Sequence, residues 1–179
     1  MPEFSNHVEQ AKRNLNFLEQ INKSIPNNWD WQVTVGFYAG VHLINGHIAK
    51  KENKHYQSHE RVDQAINLYS ACPAKLPQDI YLAYQKLQNL SKRARYLCHD
   101  DPAQKGKTQK FTYLTSETHF VKSLMQLEKI ITYFEKEYDE TLPSIELNCG
   151  ALQSLQLSHF KYFSLSIVEP SQITVAANS

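Results

Sequence analysis

The sequence predicts an all-α protein, an up-down bundle of four or five helices followed by a short strand-like C-terminal extension. Three observations carry that expectation. Apolar residues recur at alternating spacings of three and four through most of the first 140 residues, the period of a helix with one buried face. Glycine and proline are scarce, at 5 and 7 of 179 residues, which disfavours a turn-rich sandwich. A period of two emerges only beyond Thr141. Residues 1–140 are therefore read as the bundle, and residues 141–179 as an extended, β-hairpin-like arm with a loose end.

A first helix is expected from Ser5 to Lys23, where Val8, Ala11, Leu15, Leu18 and Ile21 form a stripe. Ser24, Pro26, Asn27 and Asn28 end it with turn chemistry. The second helix begins at Trp29 and is the expected centre of the molecule. Trp31, Val35, Tyr38, His42, Asn45 and Ala49 make one row, and Val33, Phe37, Val41, Ile44 and Ile48 another, so neighbours should touch it on more than one side. His42 and Asn45 within that surface need hydrogen-bond partners from other segments.

Ser58 is a cap for a third helix, with Glu60 in its first turn and Val62, Ala65, Ile66 and Tyr69 facing inward. The fourth helix runs from Gln78 to Cys98, with Ile80, Ala83, Tyr84, Leu87, Leu90, Ala94, Leu97 and Cys98 inward. Residues 99–110 are almost devoid of apolar side chains and read as a mobile loop. The fifth helix opens at Thr115 or Ser116 with Glu117 in its first turn. Its seam is Phe120, Leu124, Leu127, Ile131, Phe134 and Tyr138, the pattern of a long bundle helix. Beyond it, alternation in 144–149 and in 158–169, bracketed by Pro143 and Pro170, indicates short strands that must lie on the bundle or on another chain.

Composition narrows the function classes. Lys and Arg total 19 against 18 Asp and Glu, a net charge of +1, so any polyanion site must be a local patch. No apolar run is long enough to span a membrane, and the polar N-terminal stretch lacks the apolar core of a secretory signal, so a cytoplasmic protein without membrane contact is expected. Cys72, Cys98 and Cys149 form no CxxC pair, which favours reduced, partly buried thiols over a zinc or disulfide framework.

The charge is nevertheless polarised. Lys92, Arg93, Arg95, Lys105, Lys107 and Lys110 face only Asp100 and Asp101 between residues 92 and 110, whereas the fifth helix is net acidic. A phosphate backbone could dock at the basic end, with Lys92, Tyr96, Lys105, Lys107 and Lys110 as contacts; the bland alternative is a solvated loop beside a helix C-terminus, where cations are favoured anyway. Arg93, Arg95 and His99 are the candidate catalytic set. A guanidinium holds phosphate through a planar fork, and an imidazole titrating near neutrality can move the proton of a ribose hydroxyl. On a continuous helix Arg95 and His99 share a face, whereas Arg93 meets His99 only if the helix frays near Cys98 or across a dimer. A second cluster gathers His55, Tyr56, His59, Glu60 and Arg61 near His42 and His47. The expectation there is structural polar residues, His42, His59 and Arg61 among them, rather than a metal site, because no recognisable ligand spacing is present.

The phrases GFYAGVHLINGHIAKK, SHERVDQAI and LQNLSKRARYL, in that order, resemble the HEPN superfamily over about residues 5–138. That resemblance implies a helical domain, often a homodimer, of the kind found in bacterial toxin-antitoxin and defence systems, with no cofactor. Active relatives are metal-independent endoribonucleases that pool an arginine and, a turn or two later, a histidine from two protomers. Arg93 and His99 fit that spacing, with Arg95 as a phosphate contact. Ala94 departs from the pattern, since active members commonly carry a polar residue there. The chain is accordingly read as a non-catalytic RNA-associated or protein-interaction module, its dimer face on the fourth helix and its arm offered to a partner's sheet edge. The endoribonuclease is the alternative.

Overall fold

The computed structural model describes residues 2–96, 98–99, 110–111 and 114–164; for residues 98, 99, 110 and 111 it describes the backbone. Five helices dominate: α1 (Phe4–Ser24), α2 (Trp29–Glu52), α3 (His59–Ile66), α4 (Gln78–Tyr96) and α5 (Glu117–Tyr138). Two short strands, β1 (Cys98–His99) and β2 (Lys110–Phe111), pair antiparallel between α4 and α5, and β3 (Ile145–Leu147) and β4 (Phe160–Tyr162) pair in the C-terminal segment. No helix among the described residues is long and apolar enough to cross a membrane.

The protein is the expected up-down bundle. The start of α1 meets the end of α2, where a Cβ on Gly46 would lie 3.4 Å from His7 Cβ, while Asn22 at the other end of α1 hydrogen-bonds Gln32. These two helices are thus antiparallel. So are α2 and α4, since Phe37 meets Arg95 and His47 meets Ala74, just ahead of α4. The short α3 is spliced into the connection between them.

Helix α2 is central, packing against α1, α3, α4 and α5. Its row of Val33, Phe37, Val41, Ile44 and Ile48 is buried as the periodicity requires. The other row is mixed: Asn45 is buried, but Trp31 is 62 % exposed and Tyr38 39 % exposed. A face of small residues takes its place. Gly36 lies against Leu18 and Leu127, and Gly40 against Leu87, Leu127 and Ile130, so neighbouring helices approach the α2 backbone closely where no side chain intervenes.

Three other expectations are corrected. Helix α3 stops at Ile66, and Tyr69 is 94 % exposed rather than inward. Asn67 leaves the helical region at ψ 144° and its side-chain oxygen accepts from the Tyr69 backbone N–H, a local turn that outcompetes another helical turn. Helix α4 ends at Tyr96, and Cys98 and His99 turn away as a strand whose backbone pairs with Lys110 and Phe111. Residues 100–109 of the expected mobile loop, and Leu97, lie outside the described residues.

The C-terminal segment is no hairpin. Strands β3 and β4 pair in parallel, Ile145 with Phe160 and Leu147 with Tyr162, joined through a 3-10 turn at Gly150–Ser154. Leu142, Ile145, Leu147, Cys149, Leu152 and Phe160 are buried in the same core as the helices. Acidic side chains of α5 and α1 anchor the segment. Glu117 accepts from the Ala151 N–H at 3.0 Å and from Cys149 Sγ at 3.3 Å, and burial pushes that thiol up to about 12. Glu19 accepts from the Glu146 N–H, and Asn22 from that of Asn148 at 2.6 Å. From Leu142 to Phe160 the arm therefore covers the bundle's own core; Leu165, Ile167 and the end of the chain lie outside the described residues.

Candidate nucleic-acid interface

The last two turns of α4 project cations to both sides. Arg95 turns toward α2 and α3: its guanidinium lies 5.8 Å from the Phe37 ring centroid and 5.2 Å from that of Tyr96, while its Nε donates to the Ser91 carbonyl at 3.4 Å. A cation over two ring faces loses part of its freedom to wander. His59, at the start of α3, packs on the same Phe37 at 5.4 Å. Its pKa is lowered first by burial and then by the charges of Arg95 and Lys92. Tyr96, 63 % exposed, completes an aromatic and cationic surface at this end of the bundle, while Tyr38 lines a groove with Asn14, Phe17, Val35 and His42.

Arg93 turns the other way. It lines a groove of about 320 Å³ between α4 and α5 with Lys86, Asn89, Leu90, Lys122 and Gln126. His119, one turn before Lys122, has its pKa lowered by burial and then by Arg93 and Lys122. Its role in the α5 cap fixes its tautomer: the Ser116 N–H donates to Nδ1 at 3.2 Å, so the neutral ring carries its proton on Nε2.

The proposed catalytic trio is thus not gathered by helical geometry. Arg93 and Arg95 serve different sides of α4, and His99 belongs to β1, beyond the helix, with its side chain outside the described residues. Of the expected phosphate contacts, Lys92 and Tyr96 lie on the Arg95 side. Lys105 and Lys107 fall outside the described residues, and for Lys110 only the backbone, in β2, is described.

The histidine cluster disperses into three places. His42 and His55 both contact His7 of α1, through His7 Nδ1 to His42 Nδ1 at 3.2 Å and His7 Nε2 to His55 Nδ1 at 3.2 Å. His7 is 3 % exposed, and burial, with His42 and His55 beside it, lowers its pKa to about 4. Among the described residues no group of three or more His, Cys, Asp or Glu side chains could hold a metal ion. His47 faces elsewhere, with Nε2 3.1 Å from the Ala74 carbonyl and Nδ1 2.7 Å from the Tyr138 hydroxyl. Only a donor can pair with that carbonyl, so Nε2 carries the proton and Nδ1 accepts from Tyr138. His59 packs on the Phe37 ring, Tyr56 donates to Glu52, and Arg61 is exposed with its backbone N–H on the Ser58 cap. Asn45 Oδ1, expected to need a partner, has none among the described residues.

No sequence signal marked His7 or His119. Each sits at a helix start, and what matters about each is which distant side chains the bundle brings to it. Compared with known proteins, the chain matches no family model, no curated protein and no solved structure.

Proposed function

We propose that this chain is a non-catalytic, RNA-associated helical module, HEPN-like in the order of its elements. The observation that carries the reading is the Arg95 surface: a guanidinium over Phe37 and Tyr96, with His59 on the same Phe37 ring and Tyr96 open to solvent. Single strands are bound by cations that track the phosphates and by aromatic faces on which bases stack. The resemblance to the HEPN superfamily supplies the setting, a bacterial defence or toxin-antitoxin system. Binding without cleavage is favoured because Ala94 stands where active members of that superfamily commonly carry a polar residue.

The test is a labelled single-stranded RNA incubated with the full chain in EDTA, with Arg93→Ala, Arg95→Ala and His99→Ala alongside. Binding at about 50 mM salt that falls steeply as salt rises, weakened about tenfold by Arg95→Ala and without cleavage, is the expected result. Absence of binding at that salt removes the reading. Cleavage lost in both Arg93→Ala and His99→Ala would establish the endoribonuclease instead.

A further inference from the structure

The outer flank of α1 and α2 presents aromatic rings to solvent. Trp31 and Tyr38 are exposed on α2, and Phe17 of α1 is 50 % exposed. A groove of about 280 Å³ between the two helices is lined by Asn14, Phe17, Val35, Tyr38 and His42, and Trp31 stands one turn before Val35 on the same row. Single large apolar side chains on a surface need no explanation, but three aromatic rings on one flank mark a place that meets something.

The lining narrows what that is. No acidic, lysine or arginine side chain is among its described residues, and His42, its pKa lowered by burial and by His55, is neutral at pH 7. Asn14 accepts from Gln10 through Oδ1 at 3.0 Å and keeps an amide N–H2 to donate. Uncharged rings edged by an amide and an imidazole suit the face and the polar edge of a nucleobase. The neighbouring charge agrees. Tyr38 lies 5.7 Å from the Phe37 ring centroid, and the Arg95 guanidinium lies 5.8 Å from the same centroid. Rings for bases and a cation for a phosphate therefore meet at one buried ring, the combination that holds single strands. A second copy of the chain would account for the rings and not for the cation beside them.

We propose that the Phe17, Trp31 and Tyr38 flank is a base-stacking platform for single-stranded RNA, the strand continuing from these rings to Arg95, which holds a phosphate. The platform rests on the RNA-associated reading and adds to it where the bases go. Every base has a π-face, so strands of different sequence are accepted alike.

The experiment uses the full chain, and Trp31 itself reports. The other tryptophan, Trp29, packs on Phe120 at 5.4 Å, so Trp29→Phe leaves Trp31 as the single emitter. A labelled oligoadenylate and an abasic strand of the same length and charge are titrated at about 50 mM salt. Oligoadenylate should quench Trp31 in step with the anisotropy of its label, and the abasic strand should not. Affinities are measured on the wild-type background, so they stand even where Trp29→Phe disturbs the fold. Trp31→Leu, apolar but without a π-face, and Tyr38→Ala should each weaken oligoadenylate about tenfold and leave the abasic strand unchanged, with Trp31→Phe restoring most of the loss. Arg95→Ala should weaken both strands and make the salt slope shallower by about 0.7. Oligoadenylate that binds without quenching Trp31, and equally well to Trp31→Leu, overturns the platform and leaves RNA binding at Arg95 standing. A chain that binds neither strand overturns both. A dimer in sedimentation that Trp31→Leu disperses and oligoadenylate does not assigns the flank to a second copy and overturns the platform too.

Discussion

His159 shows how a single side chain can fasten a whole segment. Its Nδ1 lies 3.2 Å from Glu128 and its Nε2 3.1 Å from Glu135, both on α5, and the Glu128 carboxylate also accepts the Ser158 backbone N–H at 2.9 Å. An imidazole between two carboxylates donates at both nitrogens only when protonated, so its pKa is raised, first by the Glu128 hydrogen bond. The Glu128 pKa is lowered, with His159 and the Ser158 N–H outweighing the cost of burial. A raised histidine contributes stability fully below its unfolded value of 6.5 and loses it as pH rises through the folded value. A depressed glutamate contributes above 4.5 and loses it as pH falls. The clamp is therefore strongest between those two values. Denaturant titrations of wild type and His159→Ala should differ by about 1.5–3 kcal/mol near pH 5.5 and by clearly less at pH 8.5; an equal difference at both would mean the ring acts by packing alone.

At the scale of the element, α2 shows what periodicity can and cannot say. The alternating threes and fours of α5 predict a seam, and Phe120, Leu124, Leu127, Ile131 and Phe134 are all buried. In α2 the same rule gave one row correctly and placed Trp31 and Tyr38 inside, because size and apolarity in a sequence do not reveal which neighbour will come close. The helix instead packs through glycines that carry no hydrophobic signal. Those glycines differ in a measurable way. A Cβ on Gly36 would sit 3.7 Å from Leu127 and 3.8 Å from Leu18, ordinary contact, so Gly36→Ala should raise stability by about 0.5–1 kcal/mol through helix propensity. On Gly40 it would sit 2.9 Å from the buried Leu87, and Gly40→Val should cost about 1–3 kcal/mol by overpacking. Thermal melts of the two variants moving in the same direction would contradict this packing.

At the scale of the whole molecule, the C-terminal segment belongs to the body and not to a free arm. Removing everything after Asp139 would uncover the surface that Leu142, Ile145, Leu147, Leu152 and Phe160 protect, each worth roughly 1.5–3 kcal/mol, against a total stability of about 5–15 kcal/mol. It would also strip partners from Asn22, Glu117 and Glu128. The truncated chain should bind ANS and lose a cooperative melt; a soluble, cooperatively folding product would show that the segment is dispensable to the core. The sequence by itself determined the class of fold and the α4 region as the cationic end, because helical period and local charge are properties of neighbouring residues. It could not decide that Cys98 and His99 would leave α4 to pair with Lys110 and Phe111, that His7 would collect His42 and His55, or that the last strands would pair in parallel on the bundle. Each of those depends on contacts between residues far apart in the chain, and only the packing of helices against one another brings them within reach.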